Sequence, residues 1–109
     1  MPKPSLTPEV LSLVAERFRA LGEPARLQLL RALQRGPRTV GELVDETGLG
    51  QANTSKHLQL LHSLGFIARR KDGLFVHYEL ADQSVFELCD IVCGRLDEQL
   101  KEQQRRLAS

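Results

Sequence analysis

The two cysteines of the chain are spaced so that they could act together. Cys89 and Cys93 lie four residues apart in VFELCDIVCGRL, and there is no other cysteine. On a helix, positions i and i+4 have Cβ atoms about 5–6 Å apart, whereas a disulfide needs about 3.5–4.5 Å. A local disulfide would distort the helix, but two thiolates on adjacent turns can bind one ion at about 2.3 Å each. Soft ions such as arsenite, cadmium or cuprous copper suit a thiolate pair.

Three interpretations of the cysteine pair stay open at this point. Cysteine is a small side chain that is often buried, so both residues can simply pack in a helical seam. The pair can instead be a soft-metal or metalloid half-site, completed by a second copy of the chain, or a thiol redox switch. Its apolar and acidic neighbours, such as Phe86, Val92 and Asp90, disfavour a low-pKa oxidant sensor.

A second group of residues with useful chemistry lies in the stretch QANTSKHLQLLHSLG, from Gln51 to Gly65. At 100° per residue, one broad side of this predicted helix carries Thr54, His57, Leu58, Leu60, Leu61 and Leu64. The opposite side carries Gln51, Ala52, Ser55, Lys56 and Gln59. Hydrogen-bonding side chains with one cation suit base edges in a DNA major groove, which is about 12 Å wide and admits one helix. We expect Gln51, Asn53, Ser55 and Lys56 to reach the bases.

A basic hairpin follows this helix. Two extended runs, Phe66 to Arg70 and Leu74 to Leu80, are separated by Lys71, Asp72 and Gly73, and Asp-Gly is a strong hairpin signal. Residues 51–79 carry four Lys/Arg against two acids. Arg69, Arg70 and Lys71 are expected to contact phosphates or the minor groove, where cations set affinity and register.

The remaining elements complete one small domain. Residues 1–7 are predicted to be a flexible arm and residues 8–106 the domain. Its predicted helices are 8–21 with Thr7 as N-cap, 24–35, 39–47 with a T-x-x-E capping box, 51–64, and about 82–105. In the second helix, Leu27, Leu30 and Leu33 mark the buried face. The order α-α-α-α-β-β-α, mainly α with a small β-hairpin wing, is that of a winged helix-turn-helix.

Composition narrows the class of protein. The chain has 109 residues, 41% hydrophobic and 27% charged, with a net charge of +1. No leader peptide or membrane-length apolar run is visible, so we expect a cytoplasmic protein with reduced cysteines. No catalytic triad, phosphate-binding glycine loop or metal-hydrolase motif occurs, so we expect no enzyme activity.

The three histidines, His57, His62 and His77, lack the spacing of metal ligands. We expect His57 to be half-buried in packing or to contact a phosphate. We expect His62 to lie at the surface and His77 to occupy a cross-strand position in the wing.

Three stretches resemble the ArsR/SmtB family of small dimeric bacterial repressors: FRALGEPARLQLLRAL, TVGELVDETGLGQANTSKHLQLLHSLGFI and RRKDGLFVHYEL. The resemblance covers about residues 16–100. It implies a homodimeric repressor joined through the first and last helices, a palindromic double-stranded operator, and release by an inducer. It also implies DNA contacts along the fourth helix and on the wing: Gln51, Asn53, Thr54, Ser55, Lys56, His57, Arg69, Arg70 and Lys71.

The chain departs from the family at the known sensor positions. Arsenic-sensing members carry an E-L-C-x-C pattern in the third helix, where this chain has Val44 and Glu46. Zinc-sensing members use Asp, His and Glu on the last helix, which has no histidine here. The inducer is therefore open, with a soft metal or metalloid at Cys89 and Cys93 as one prediction. The alternatives are a thiol-based redox or reactive-sulfur-responsive repressor, and an inducer-independent winged-helix module that binds protein.

Overall fold

The computed structural model describes residues 5–108. Its elements in chain order are α1 Pro8–Leu21, α2 Pro24–Gln34, β1 Arg38–Thr39, α3 Val40–Thr47, α4 Gln51–Ser63, β2 Ile67–Asp72, β3 Phe75–Leu80 and α5 Gln83–Ala108. The winged helix-turn-helix order is confirmed, with β1 as an additional strand. Of the predicted arm, residues 1–4 lie outside the described part, and residues 5–7 precede α1 without helical structure.

Local capping contacts set several helix ends as the sequence indicated. The Thr7 hydroxyl accepts a hydrogen bond from the Val10 amide at 3.2 Å. At α3 the capping box is complete, because Thr39 and Glu42 each accept from the other's backbone amide. α3 ends at Gly48, whose φ of 74° is left-handed and favours glycine. Asp82 accepts from the Ser84 amide at 3.0 Å and so precedes α5 as its cap.

The sheet is antiparallel with strand order β1-β3-β2. β2 and β3 pair from Ile67↔Leu80 to Asp72↔Phe75, so the hairpin loop is Gly73 and Leu74. The predicted loop was therefore displaced: Lys71 and Asp72 belong to β2, and Leu74 is in the turn. Gly73 has a φ of 62°, and positive φ occurs only at glycines among residues 5–108, which matches a type II′ turn.

The core lies where α2, α3, α4, the sheet and the start of α5 meet. Its buried residues are Ala20, Leu29, Leu30, Ala32, Leu33, Leu43, Leu58, Leu61, Phe66, Ile67, Tyr78, Val85 and Phe86. The predicted inner face of α2 was wrong at one position, because Leu29 is fully buried and Leu27 is 36% exposed. On α4, Leu58 and Leu61 are both fully buried, and their side of the helix therefore faces the core.

Large apolar side chains remain exposed on the first and last helices. We call Leu11, Val14 and Phe18 of α1, with Val92, Leu96 and Leu100 of α5, the apolar seam. Only Val85 and Phe86 of α5 are buried, and every residue from Ile91 to Ala108 is exposed. At 1.5 Å per residue this helix is about 39 Å long. No helix among residues 5–108 is long and apolar enough to span a membrane.

Candidate nucleic-acid interface

α3 and α4 form a helix-turn-helix joined by the three residues 48–50. The left-handed Gly48 reverses the chain after α3, and Gly50 is the N-cap of α4 without a side-chain cap. Leu43 of α3 is fully buried, as are Leu58 and Leu61 of α4, so the two helices share one core. This packing leaves the first turn of α4 and its outer face at the surface.

The outer face of α4 is polar, as the helical periodicity predicted. Gln51, Asn53, Lys56 and Gln59 are exposed, and Ser55 is half-buried. Together they present amide and hydroxyl groups that both donate and accept, with one ammonium group. The structure thus brings four of the residues expected to reach bases, Gln51, Asn53, Ser55 and Lys56, onto the first two turns of one helix.

Thr54 departs from the expected set. Its side chain is fully buried, and its Oγ1 has no hydrogen-bond partner in the described part of the chain. Its position on the inner side agrees with the helical periodicity, whereas the DNA contact implied by the family resemblance is not available to this side chain. The predicted DNA contact of Thr54 was therefore wrong, because a side chain buried on the same side of α4 as Leu58 and Leu61 cannot reach a base.

His57 is half-buried and hydrogen-bonded within the protein. Nη1 of Arg26 lies 3.2 Å from Nδ1 of His57 and donates to it. The same guanidinium donates to the backbone carbonyls of Ala20 and Arg19 at the end of α1. Sequence reasoning did not single out Arg26, because a contact between residues 31 positions apart leaves no local signal.

The wing carries its cations on β2. Arg69, Arg70 and Lys71 are all exposed. The Arg69 guanidinium lies 5.7 Å from the centroid of the Tyr78 ring, within cation–π range. Nη2 of Arg70 is 3.9 Å from Oε2 of Glu79, a loose surface pair. The predicted basic strand is thus in place, but its tip is apolar, since Leu74 in the turn is 97% exposed.

A polar contact that the sequence did not reveal attaches the sheet to α3. Nε of Arg38, in β1, donates to Oε1 of Glu46 at 2.7 Å. This hydrogen bond raises the pKa of Arg38. At the other end of α3, hydrogen bonds from Thr39 lower the pKa of the Glu42 carboxyl. These contacts hold the first helix of the helix-turn-helix against the wing.

The cysteine pair lies away from α4, at the surface between α1, α2 and α5. Cys89 is half-buried and Cys93 is exposed. Both line a mainly apolar cleft of about 240 Å³ that also includes Phe18, Leu27 and Val92. Burial raises the pKa of the Cys89 thiol, and the adjacent Cys93 and Asp90 raise it further, as the sequence predicted.

No described group of three or more His, Cys, Asp or Glu residues could hold a metal ion. Cys89 and Cys93 are both free thiols. The histidines lie apart from them. His62 is exposed, and His77 in β3 pairs with Arg70 and Thr39, both as predicted; the buried Nδ1 of His77 has no partner among the described residues.

Comparison with known proteins agrees with this architecture. The model of the family "Bacterial regulatory protein, arsR family" matches residues 23–69. A probable mercury resistance operon repressor of Streptomyces lividans is 40% identical over 74 residues, covering 68% of this chain and 59% of its own length. A Synechocystis homolog of the transcriptional repressor SmtB is 36% identical over 96 residues, covering 84% of this chain and 73% of its own.

A solved structure resembles the whole fold. It is the homodimeric winged helix-turn-helix DNA-binding domain of Mb0332 from Mycobacterium bovis, determined by NMR. It superposes with a TM-score of 0.78 at 31% identity, covering 92% of this chain and 93% of that one. The similarity therefore extends beyond the helix-turn-helix and the wing to nearly the whole length of both chains. The chain belongs to the ArsR family of bacterial regulatory proteins.

Proposed function

We propose that the protein is a homodimeric transcriptional repressor that binds a palindromic operator and is released by an inducer. The observation that carries this proposal is the exposed polar face of α4, held outward by the burial of Thr54, Leu58 and Leu61 on the opposite face. The names of the relatives from Streptomyces lividans and Synechocystis, both repressors, support the regulatory role. A purely protein-binding module would not need this combination of a polar helix and a basic strand.

In this proposal α4 enters the major groove. Gln51, Asn53, Ser55 and Lys56 contact base edges, because side chains near the N-terminus of a recognition helix reach the bases. Arg69, Arg70 and Lys71 neutralise neighbouring phosphates or reach the minor groove and set the register of the protein on the duplex. His57 is the inner edge of this surface.

The apolar seam supports dimerisation through α1 and α5. Phe18 and Leu96 are each more than half exposed in the single chain. Exposed apolar surface of this kind marks an interaction site, and burying it against a second copy would stabilise both chains. The solved structure of Mb0332, which is homodimeric, supports dimerisation. A two-fold dimer presents two copies of α4, which explains why the operator would be palindromic.

The DNA assignment is tested by binding to DNA that the parent protein selects from a random-sequence pool. Gln51→Ala combined with Lys56→Ala should lose most of the affinity while circular dichroism shows an intact fold. The matched control is Gln103→Ala with Lys101→Ala, which removes the same two side-chain types from the exposed part of α5. Selection of no DNA by the parent would refute the function, and full binding by the α4 variant would refute the recognition surface.

The dimer is tested by sedimentation. Leu96→Asp places a charge in the apolar seam and should yield monomers at concentrations where the parent is a dimer. Ile91→Asp is the control, because Ile91 is also exposed but lies about 140° around the helix from Leu96. A dimeric Leu96→Asp variant would contradict the proposed interface, as would dissociation caused equally by both variants.

For the inducer, the proposal assigns sensing to Cys89 and Cys93, with a soft metal or metalloid ion as ligand. Two thiols share one cleft beside the apolar seam, so ligands from both subunits could meet there. The raised pKa of Cys89 lowers its reactivity in the alternative, oxidation by peroxide or reactive sulfur, whereas a bound ion itself deprotonates the thiols that coordinate it. Ligation would act indirectly, through the angle between subunits, with a coupling of about 1–3 kcal/mol.

The sensing assignment is tested with arsenite, cadmium, zinc, copper, peroxide and polysulfide added to the protein–DNA complex. Release by a soft ion in the parent, and none in Cys89→Ser or Cys93→Ser, supports the ion half-site. Release by oxidant or polysulfide alone favours the redox alternative. Identical responses of the parent and both serine variants would mean that the pair only packs.

A further inference from the structure

Arg26 contacts two elements that have different tasks in the proposed repressor. It lies in the first turn of α2, and its Nε donates to the carbonyl of Ala20 at 2.5 Å. Its Nη2 donates to the carbonyl of Arg19 at 3.3 Å, and its Nη1 donates to Nδ1 of His57 at 3.2 Å. One side chain thus joins the C-terminal end of α1 to the middle of α4.

The chemistry of these contacts is directional. A guanidinium group can only donate hydrogen bonds, so Nδ1 of His57 must be an unprotonated acceptor, and the neutral ring carries its hydrogen on Nε2. The two carbonyls lie at the C-terminal end of α1, where the helix dipole favours a cation. Within residues 5–108, no carboxylate forms an ion pair with Arg26. The three hydrogen bonds therefore stabilise its positive charge.

Apolar packing alone leaves the position of α4 less well determined. Leu58 and Leu61 bury its inner face, but hydrophobic contacts are not directional. The planar fork of Arg26 adds fixed angles between α1, α2 and α4 that a lysine cannot reproduce with a single ammonium group. The contact therefore links α4 to α1 through directional hydrogen bonds.

We propose that Arg26 is a positioning residue for operator recognition, which sets α4 of each subunit relative to the dimer helix α1. The inference rests on the proposed function, in which α1 belongs to the dimer interface. The two recognition helices must reach half-sites about 34–36 Å apart, one turn of DNA. Any freedom between α1 and α4 is carried into that spacing, so Arg26 determines which half-site spacing the dimer accepts.

The test compares variants on DNA selected by the parent protein and on derivatives whose half-sites are moved by one base pair. Arg26→Lys and Arg26→Gln should bind the selected DNA roughly tenfold or more weakly. They should also lose much of the parent's preference for the selected spacing. Arg35→Gln is the matched control, since it removes an exposed arginine from the end of the same helix. It should keep both the affinity and the spacing preference.

Salt dependence separates positioning from direct contact with DNA. If Arg26 only positions α4, the slope of log affinity against log salt stays at the parent's value in Arg26→Gln. A slope that falls by about 1 would show a lost phosphate contact and overturn the proposal. His57→Asn, which keeps an acceptor near the Nδ1 position, should bind more tightly than His57→Leu, which has none.

A measurement on the parent protein covers the case in which the Arg26 variants do not fold. The ring-nitrogen NMR spectrum of His57 should show hydrogen on Nε2 and an acceptor at Nδ1; hydrogen on Nδ1 would overturn the proposal. Unchanged affinity and spacing preference in folded Arg26→Lys and Arg26→Gln would do the same. These outcomes are distinct from failure of the proposed function, in which the parent itself selects no DNA.

Discussion

Replacing Thr54 with valine tests the assignment of this residue to the core. The Thr54 side chain is fully buried, and its hydroxyl has no partner among the described residues. Valine has nearly the same shape, the same branching at Cβ and a similar helix propensity. The substitution therefore changes little except the unpartnered hydroxyl. We expect Thr54→Val to be more stable than the parent.

The size of the effect follows from the cost of burying a hydroxyl group without a hydrogen bond. Mutational data place that cost at about 1–3 kcal/mol. If valine removes only part of this cost, Thr54→Val should raise the free energy of unfolding by about 1 kcal/mol. For a domain of this size, that increase corresponds to roughly 4 °C in Tm. Thr54→Ser is the matched control, since it keeps the hydroxyl, loses a buried methyl group and should be destabilised by about 1 kcal/mol.

The assay is urea unfolding followed by circular dichroism, with all variants at one protein concentration, because a dimer's stability depends on concentration. DNA affinity is measured in parallel. Thr54→Val should bind selected DNA as the parent does, since its side chain lies inside the protein. A loss of about 1 kcal/mol or more in stability would show that the hydroxyl has a partner. Weaker DNA binding by a stable Thr54→Val would restore Thr54 to the contact set and refute our reasoning.

Three further predictions concern α3 and the thiols. Thr39→Ala removes the N-cap of α3 and should lower the free energy of unfolding by about 1 kcal/mol in urea titration. The pKa of Glu42 is lower in the folded protein than its ordinary value of 4.5. Ionised Glu42 therefore stabilises the fold above about pH 4.5, and this stabilisation is lost as the pH falls through the lower pKa of the folded state. The parent should therefore lose more stability between pH 7 and about pH 3 than Glu42→Gln, and equal losses would count against this. Each thiol can be tested alone by replacing the other cysteine with serine. At about pH 8, Cys89 should react with iodoacetamide more slowly than Cys93, because burial raises the pKa of Cys89.

Features that depend on neighbouring residues were predictable from the sequence. The N-caps at Thr7 and Thr39, the polar outer face of α4 and the apolar residues of α5 all follow from contacts within a few helical turns. The hairpin was predicted, but its loop is two residues long and not the predicted Lys71, Asp72 and Gly73. Asp72 and Phe75 pair across the strands, so Gly73 and Leu74 form the loop, and cross-strand register decides this choice. The two-residue strand β1 is too short to carry a periodic pattern.

The sequence by itself therefore determined the order of the five helices and the hairpin, the capped helix-turn-helix and the polar residues of the proposed DNA face. These depend on helical periodicity, capping and turn chemistry, which act over a few residues. Helical periodicity already placed Thr54 on the inner side of α4, but only the tertiary structure decided that its hydroxyl has no partner among the described residues. The tertiary structure also decided that Leu29 rather than Leu27 faces the core and that Cys89 is more buried than Cys93. It alone joined Arg26 to His57. These outcomes arise where separate elements meet, and packing between distant parts of the chain leaves no signature in local spacing.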